Sequence, residues 1–156
     1  MTANAINTIS LDKHLTTGRI GEEHAVQLMS KKGYKIIATN WHMGHLEIDV
    51  ICGNRKEIVF IEVKTRTSTF GDKQPEEFVD SVKQRRIIAA ANAYIKLNHE
   101  NRTPRFDVIG VLIKGSEIVE TTHIEDAFHP HAKTINTNSY SGEWRWKHKG
   151  KIIKGK

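Results

Sequence analysis

The stretch LEIDVICGNRKEIVFIEVKTR, residues 46–66, decides the fold. Leu46–Ile51 and Glu57–Thr65 are short and rich in Ile, Val and Phe, the composition of strands. Gly53-Asn54 supplies a turn between them, so the two strands form a hairpin. Period-2 alternation puts Leu46, Ile48 and Val50 on one face, with Glu47 and Asp49 together on the other. In the second strand, Glu62 and Lys64 interrupt Val59, Phe60, Ile61 and Val63, and they too share a face.

Charge inside an apolar strand is costly unless it is paired or holds a metal. One reading is an ion pair, Glu62–Lys64 or Asp49–Lys64, at a sheet surface. The other starts from the hairpin, which gathers at least three charges on one side. Carboxylates crowded in this way repel without a cation. Mg²⁺ takes one or two carboxylates, a carbonyl and waters, and this cluster offers that set.

Outward from the hairpin, Gly18–Lys32 reads as a helix with a stripe of Ala25, Val26, Leu28 and Met29, stopped by Gly33. Residues 1–15 show no strong period and are expected to form an N-terminal extension. Tyr34–Trp41 reads as a strand and Gly44 as a turn. Beyond a polar loop at Thr67–Gln74, Pro75-Glu76-Glu77 suits a short turn. Ser81-x-x-Gln84 reads as a capping box for a main helix at Val82–Asn98. Arg105–Ile113 and Ile118–His123 are further strands, and Asp126–Pro130 one helical turn. The order is α-β-β-β-α-β-β. The helix between strands three and four implies a crossover and a parallel pair. The expected fold is therefore α/β, a mixed sheet flanked by helices. It occupies residues 16–130, followed by a basic tail at 131–156.

Composition bounds the function. The chain has 156 residues, 38% hydrophobic and 27% charged, which suits one folded domain rather than a disordered chain. No apolar run approaches the roughly 20 residues of a membrane span. MTANAINTIS carries no secretory signal, and a single cysteine, Cys52, excludes a disulfide or a thiolate zinc cage. A cytoplasmic protein is expected, with Cys52 buried and inert. Lys and Arg number 24 against 18 Asp and Glu, a net charge of +6. Most of it lies in Gly142–Lys156, where Arg145 and five lysines face one acid, Glu143. The basicity is a property of the tail, and it points to a polyanionic partner.

Asp49, twelve intervening residues and then Glu62-Val63-Lys64 resembles the D…E-x-K signature of the PD-(D/E)xK nuclease superfamily, whose core has the same α-β-β-β-α-β order. The ordered series is also similar to the YraN-like family, over roughly residues 16–126: Gly18-x-x-Gly21-Glu22, Gly33-Tyr34, Asn40-Trp41, Glu47-Ile48-Asp49, Val59 to Arg66, Phe70-Gly71, Lys83, Ala90-Ala91 and Arg105 to Val108. Leu46 departs from it, standing where the family usually has Gly. The resemblance implies a restriction-endonuclease-like core grouped with Holliday-junction resolvases. It implies a Mg²⁺- or Mn²⁺-dependent endonuclease acting on nucleic acid, DNA before RNA. Asp49, Glu62 and the Val63 carbonyl would hold the metal, and Lys64 would orient the attacking water and stabilise charge on the phosphate.

The resemblance also draws attention to Glu22. Independently, Glu22 lies three, four and seven residues before Ala25, Val26 and Met29, on the stripe facing the sheet. It reads either as an active-site acid acting on the metal through water, or as a charge favouring the helix dipole. Glu47 is a candidate supporting acid beside Asp49. Lys83 and Arg66 are each either phosphate contacts or solvated cations, and Asp107 reads as structural. In the tail, Trp144 and Trp146 alternate with Arg145 and Lys147, a pattern suited to stacking and phosphate pairing. The other readings of the tail are a solubilising segment, or a strand docked by its tryptophans on the domain or on a second copy of the chain, making a homodimer.

Overall fold

The computed structural model describes residues 3–67, 78–130, 144–148 and 151–155; of these, the side chains of 3–16 and of the last two segments lie outside the description. Helix α1 (Ala3–Lys31) precedes strands β1 (Lys35–Met43), β2 (Leu46–Gly53) and β3 (Glu57–Arg66). Helix α2 (Ser81–Asn98) leads to β4 (Thr103–Lys114) and β5 (Glu117–Ile124). The five strands make one sheet in chain order, antiparallel except for the parallel β3–β4 pair that α2 crosses over to make. This is the mixed α/β architecture expected from residues 46–66.

Each helix covers one face. Ala25 and Met29 of α1 pack on Val50, Cys52, Val59, Ile61, Ile109 and Val111. Ile87, Ile88, Ala91 and Ile95 of α2 pack on Ile48, Ile51, Ile58, Phe60 and Phe106. Alternation along β3 feeds both layers: Ile58 and Phe60 face α2, Val59 and Ile61 face α1. Gly21 sets how closely α1 approaches, because a Cβ there would collide with the Thr65 Oγ1 of β3. The helix stops where expected: Gly33 has φ 88°, and the Tyr34 N–H donates to the Met29 carbonyl at 3.0 Å, closing the turn.

Several expectations are corrected. Helix α1 begins at Ala3, not Gly18, so the expected helix extends back through most of the N-terminal segment. Residues 3–17 contain no Gly or Pro to break a helix. Asp80, not Ser81, caps α2, its Oδ1 accepting the Lys83 N–H at 2.8 Å. Residues 125–126 form a turn rather than a helical segment, with Asp126 at φ 52°. The tail contains an antiparallel hairpin, β6 (Trp144–His148) and β7 (Lys151–Gly155), and β6 runs close to β4. Phe70-Gly71, Pro75–Glu77 and the side chains of Arg145 and Lys147 lie outside the described residues.

Candidate active site at a fork in the sheet

The β2–β3 ladder runs from Gly53↔Ile58 to Val50↔Ile61 and then stops. Strand β2 stays paired with β1 as far as Met43↔Leu46, while β3 stays paired with β4 as far as Arg66↔Leu112. The sheet therefore forks between β2 and β3. At the mouth of the fork the Val63 N–H, lacking a β2 partner, donates to the Asp49 Oδ2 at 2.7 Å. The N–H and C=O of one strand residue point to the same edge, so the Val63 carbonyl faces the fork as well.

Strict alternation does not survive this point. Ile48 and Ile51, three residues apart, both pack in the α2 layer, while Val50 packs in the α1 layer. The expected single face of Leu46, Ile48 and Val50 is thus split. Strand β1 is out of phase at the same level, with Ala38 and Trp41 both in the α2 layer. Between them Asn40 takes a left-handed φ of 49°, at the step between the Thr39↔Val50 and Trp41↔Ile48 pairs that Asp49 occupies on β2. The double break turns Asp49 into the fork, within reach of groups from both layers.

Glu62 is buried, 3% exposed. Its Oε1 meets two ammonium groups, Lys64 Nζ at 3.1 Å and Lys83 Nζ at 3.3 Å. The Glu62–Lys64 ion pair considered from the sequence is therefore formed, but it satisfies one oxygen only. Glu62 Oε2 is buried with no hydrogen-bond partner among the described residues. Such an atom costs free energy unless something outside the chain satisfies it. Lys83 also binds Glu47 Oε1 at 3.0 Å, which holds the Glu47 carboxyl below its usual range. Burial works to lower Lys83, but the Glu62 and Glu47 carboxylates outweigh it and raise its pKa. Burial, and then the charge of Glu62, push Asp49 up to about 7, with Glu22 adding to the rise and the Val63 N–H and Lys83 opposing it.

Glu22 reaches the same fork from α1, its Oε2 accepting from Asn40 Nδ2 at 2.9 Å. Because α1 begins at Ala3, Glu22 lies well inside the helix, and the dipole reading of this acid fails. Asp49, Glu62, Lys64, Glu22, Glu47 and Lys83 are thus brought together. Arg66 is exposed at the end of β3, beyond the charged cluster. Among the described residues no group of three or more His, Cys, Asp or Glu side chains is arranged to hold a metal by itself. A site of two carboxylates, a carbonyl and waters needs no such group. Asn40 is the participant to which sequence reasoning gave no role, although Asn40-Trp41 stands in the family-like series. A left-handed Asn in mid-strand leaves no trace in composition or period.

A second acidic centre lies on the α1 face. Asp107, fully buried, accepts from Arg105 Nε at 2.9 Å, Arg105 Nη2 at 2.8 Å and the Asp126 N–H at 3.0 Å, and pairs with His123 Nε2 at 2.8 Å. Burial opposes its charge, but these bonds prevail and hold Asp107 below the usual carboxylate range. This is the structural role expected for it. Cys52 is buried, and desolvation pushes its thiol up to about 12, in keeping with an inert core cysteine.

A mixed five-stranded sheet between two helices, forked around paired carboxylates and lysines, defines the class: an α/β fold with a charged cluster where its sheet forks. Residues 21–111 match the family model described as "Uncharacterised protein family UPF0102". The chain is 43% identical over 112 residues to a UPF0102 protein of Parabacteroides distasonis, across 72% of this chain and 91% of that one. It is 40% identical over 118 residues to a UPF0102 protein of Bacteroides thetaiotaomicron, across 76% and 96% respectively. A UPF0102 protein of Caldanaerobacter subterraneus subsp. tengcongensis is 44% identical over 117 residues, across 72% and 94%. The chain belongs to the UPF0102 family, the YraN-like group that its motifs resemble. The matched span holds every fork residue from Glu22 to Lys83 and ends before the basic tail. Among the described residues, no helix is long and apolar enough to cross a membrane.

Proposed function

We propose that the protein is a Mg²⁺- or Mn²⁺-dependent endonuclease that hydrolyses phosphodiester bonds in nucleic acid, DNA before RNA. One observation carries the reading: the buried, unpartnered Oε2 of Glu62 shares the fork with Asp49, with Lys64 alongside. A hard divalent cation fits that donor set, which comprises Asp49, Glu62 and the Val63 carbonyl. Bound there, it would neutralise phosphate charge and make a water molecule more acidic. The chain's own groups do the rest. The Lys64 ammonium donates hydrogen bonds to the attacking water and to the phosphate oxygens as charge builds on them. Glu22, held by Asn40, orients water on the α1 side of the fork. Lys83 and Arg66 offer cationic contacts to flanking phosphates.

The two ammonium groups already on Glu62 Oε1 favour a second reading, a nucleic-acid-binding module that does not turn over. Incubation with linear, nicked and branched DNA and with RNA, in Mg²⁺, Mn²⁺ or EDTA, decides between them. Cleavage that EDTA abolishes, and that Glu62→Gln lacks, is the expected result. Binding without cleavage in either metal selects the module, and neither binding nor cleavage refutes both.

A further inference from the structure

Asn40 is anomalous. It has a left-handed φ of 49° in the middle of β1, whereas His99 and Asp126, the other non-glycine residues with positive φ among the described residues, lie outside the strands. Asn is one of the few side-chain-bearing residues that enters that region readily, by hydrogen-bonding locally. Here its amide does not bond locally. It crosses to α1 and donates to Glu22 Oε2 at 2.9 Å. It lies between the Thr39↔Val50 and Trp41↔Ile48 pairs, as Asp49 does on β2, at the level where β1 and β2 both change face. The side chain is exposed, so its bond to a partly exposed carboxylate adds little to folding. The geometry is better explained by what it orients.

Resting on the metal-site reading above, we propose that Asn40 is a positioning residue. Its left-handed backbone turns Asp49 into the fork, and its amide fixes the Glu22 carboxylate toward the same point. The two functions are separable. Glycine accepts the left-handed backbone but has no amide, while alanine lacks both. Asn40→Gly therefore folds and isolates the amide, and Asn40→Ala melts at a lower temperature than Asn40→Gly.

The test is a mutant cycle on the full chain: wild type, Asn40→Gly, Glu22→Gln and the double variant, titrated calorimetrically with MnCl₂. Polar groups that orient a metal's ligands typically contribute about tenfold or more to its affinity. Asn40→Gly and Glu22→Gln should each weaken Mn²⁺ binding by about tenfold. The double variant should be no weaker than Glu22→Gln alone, because the amide acts only through that carboxylate. On DNA, kcat should fall with KM unchanged. Wild-type Mn²⁺ affinity in Asn40→Gly, or losses that multiply in the double variant, overturn this inference alone. Absence of Mn²⁺ binding to the wild type overturns the metal reading and this inference with it.

Discussion

Replacing Asp49 by Asn should stabilise the metal-free protein while destroying its activity. The Asn Oδ1 can still accept the Val63 N–H that Asp49 accepts at 2.7 Å, so the local geometry has no reason to change. What disappears is a carboxylate whose pKa burial and neighbouring acids raise from 3.8 to about 7. At about 1.4 kcal/mol per pKa unit, the ionised group carries an unfavourable free energy on the order of 4 kcal/mol. Relaxation of water and lysines reduces the realised gain to about 2–4 kcal/mol, or a rise in Tm of roughly 5–15 °C for a domain of this size. The sign follows from linkage. A raised folded-state pKa in an acid penalises the charged form, so the penalty is absent below about pH 4, grows towards pH 7 and is complete above it. Thermal melts in EDTA should show the full gain at pH 8 and less than half of it at pH 5. Excess Mg²⁺ should raise the Tm of the wild type and leave the variant unmoved, because only the wild type binds it. An Asp49→Asn protein no more stable than the wild type at pH 8, or equally stabilised at both pH values, would show that Asp49 is not held under electrostatic strain.

Three further outcomes are expected. Lys64→Ala should lose cleavage yet keep Mn²⁺ affinity by calorimetry, since an ammonium is no ligand and Lys83 still holds Glu62 Oε1; lost affinity would recast Lys64 as a scaffold for the carboxylates. Asp107→Asn should cost roughly 3 kcal/mol in urea melts, because it removes the buried carboxylate that pairs with Arg105 and His123 and leaves Arg105 only the part-exposed Glu57 as counter-charge. Asp107 is held below its ordinary value, so its contribution is present above the ordinary carboxylate range and is lost on acidification; the variant should lack that acid-sensitive limb, and a variant as acid-sensitive as the wild type would refute the assignment. Deleting residues 142–156 should flatten the salt dependence of DNA binding by about two to three units of slope, at about 0.9 per lost phosphate contact. A lower Tm with an unchanged slope would mean that the tail hairpin only docks beside β4.

The parts of this molecule that were legible in the sequence are those that obey a period or visibly break one. The hairpin, the crossover helix and the strand order follow from apolar spacing between turn residues. Glu62 stood out because a glutamate among Val59, Phe60, Ile61 and Val63 contradicts the cost of burying charge. What stayed hidden has a physical reason in each case. Residues 3–17 form a helix without an amphipathic stripe, so they carry no periodic signal. The change of face between Ile48 and Val50 on β2 and the left-handed φ of Asn40 on β1 are backbone departures that no pattern encodes. Lys83 had two readings until the fold carried α2 across β3 and set its ammonium on Glu47 and Glu62, which are far from it in the chain.

Two buried acids in one sheet show how a structural carboxylate differs from one kept for a reaction. Asp107 lies on β4, beside Ile61 in the ladder, and Glu62 is paired one step further along. Both are almost wholly removed from water. Around Asp107 each oxygen is paired, Oδ1 by Arg105 and the Asp126 N–H, Oδ2 by Arg105 and His123. The result is a carboxylate that stays charged because folding supplies everything water supplied. Around Glu62 the two lysines converge on Oε1 and leave Oε2 bare, while Asp49 beside it is pushed toward neutrality. A fold able to satisfy Asp107 so fully is under no chemical constraint to leave Glu62 half-satisfied. Leucine at that position would leave no bare oxygen, though it would also strip Lys64 and Lys83 of their shared counter-charge. The expense makes sense if the missing partner arrives from solution as a cation. The discriminating quantity is then the Tm response to Mg²⁺: excess cation should raise the wild type and leave Glu62→Gln unmoved, where a purely structural acid would give no Mg²⁺-dependent rise in either protein.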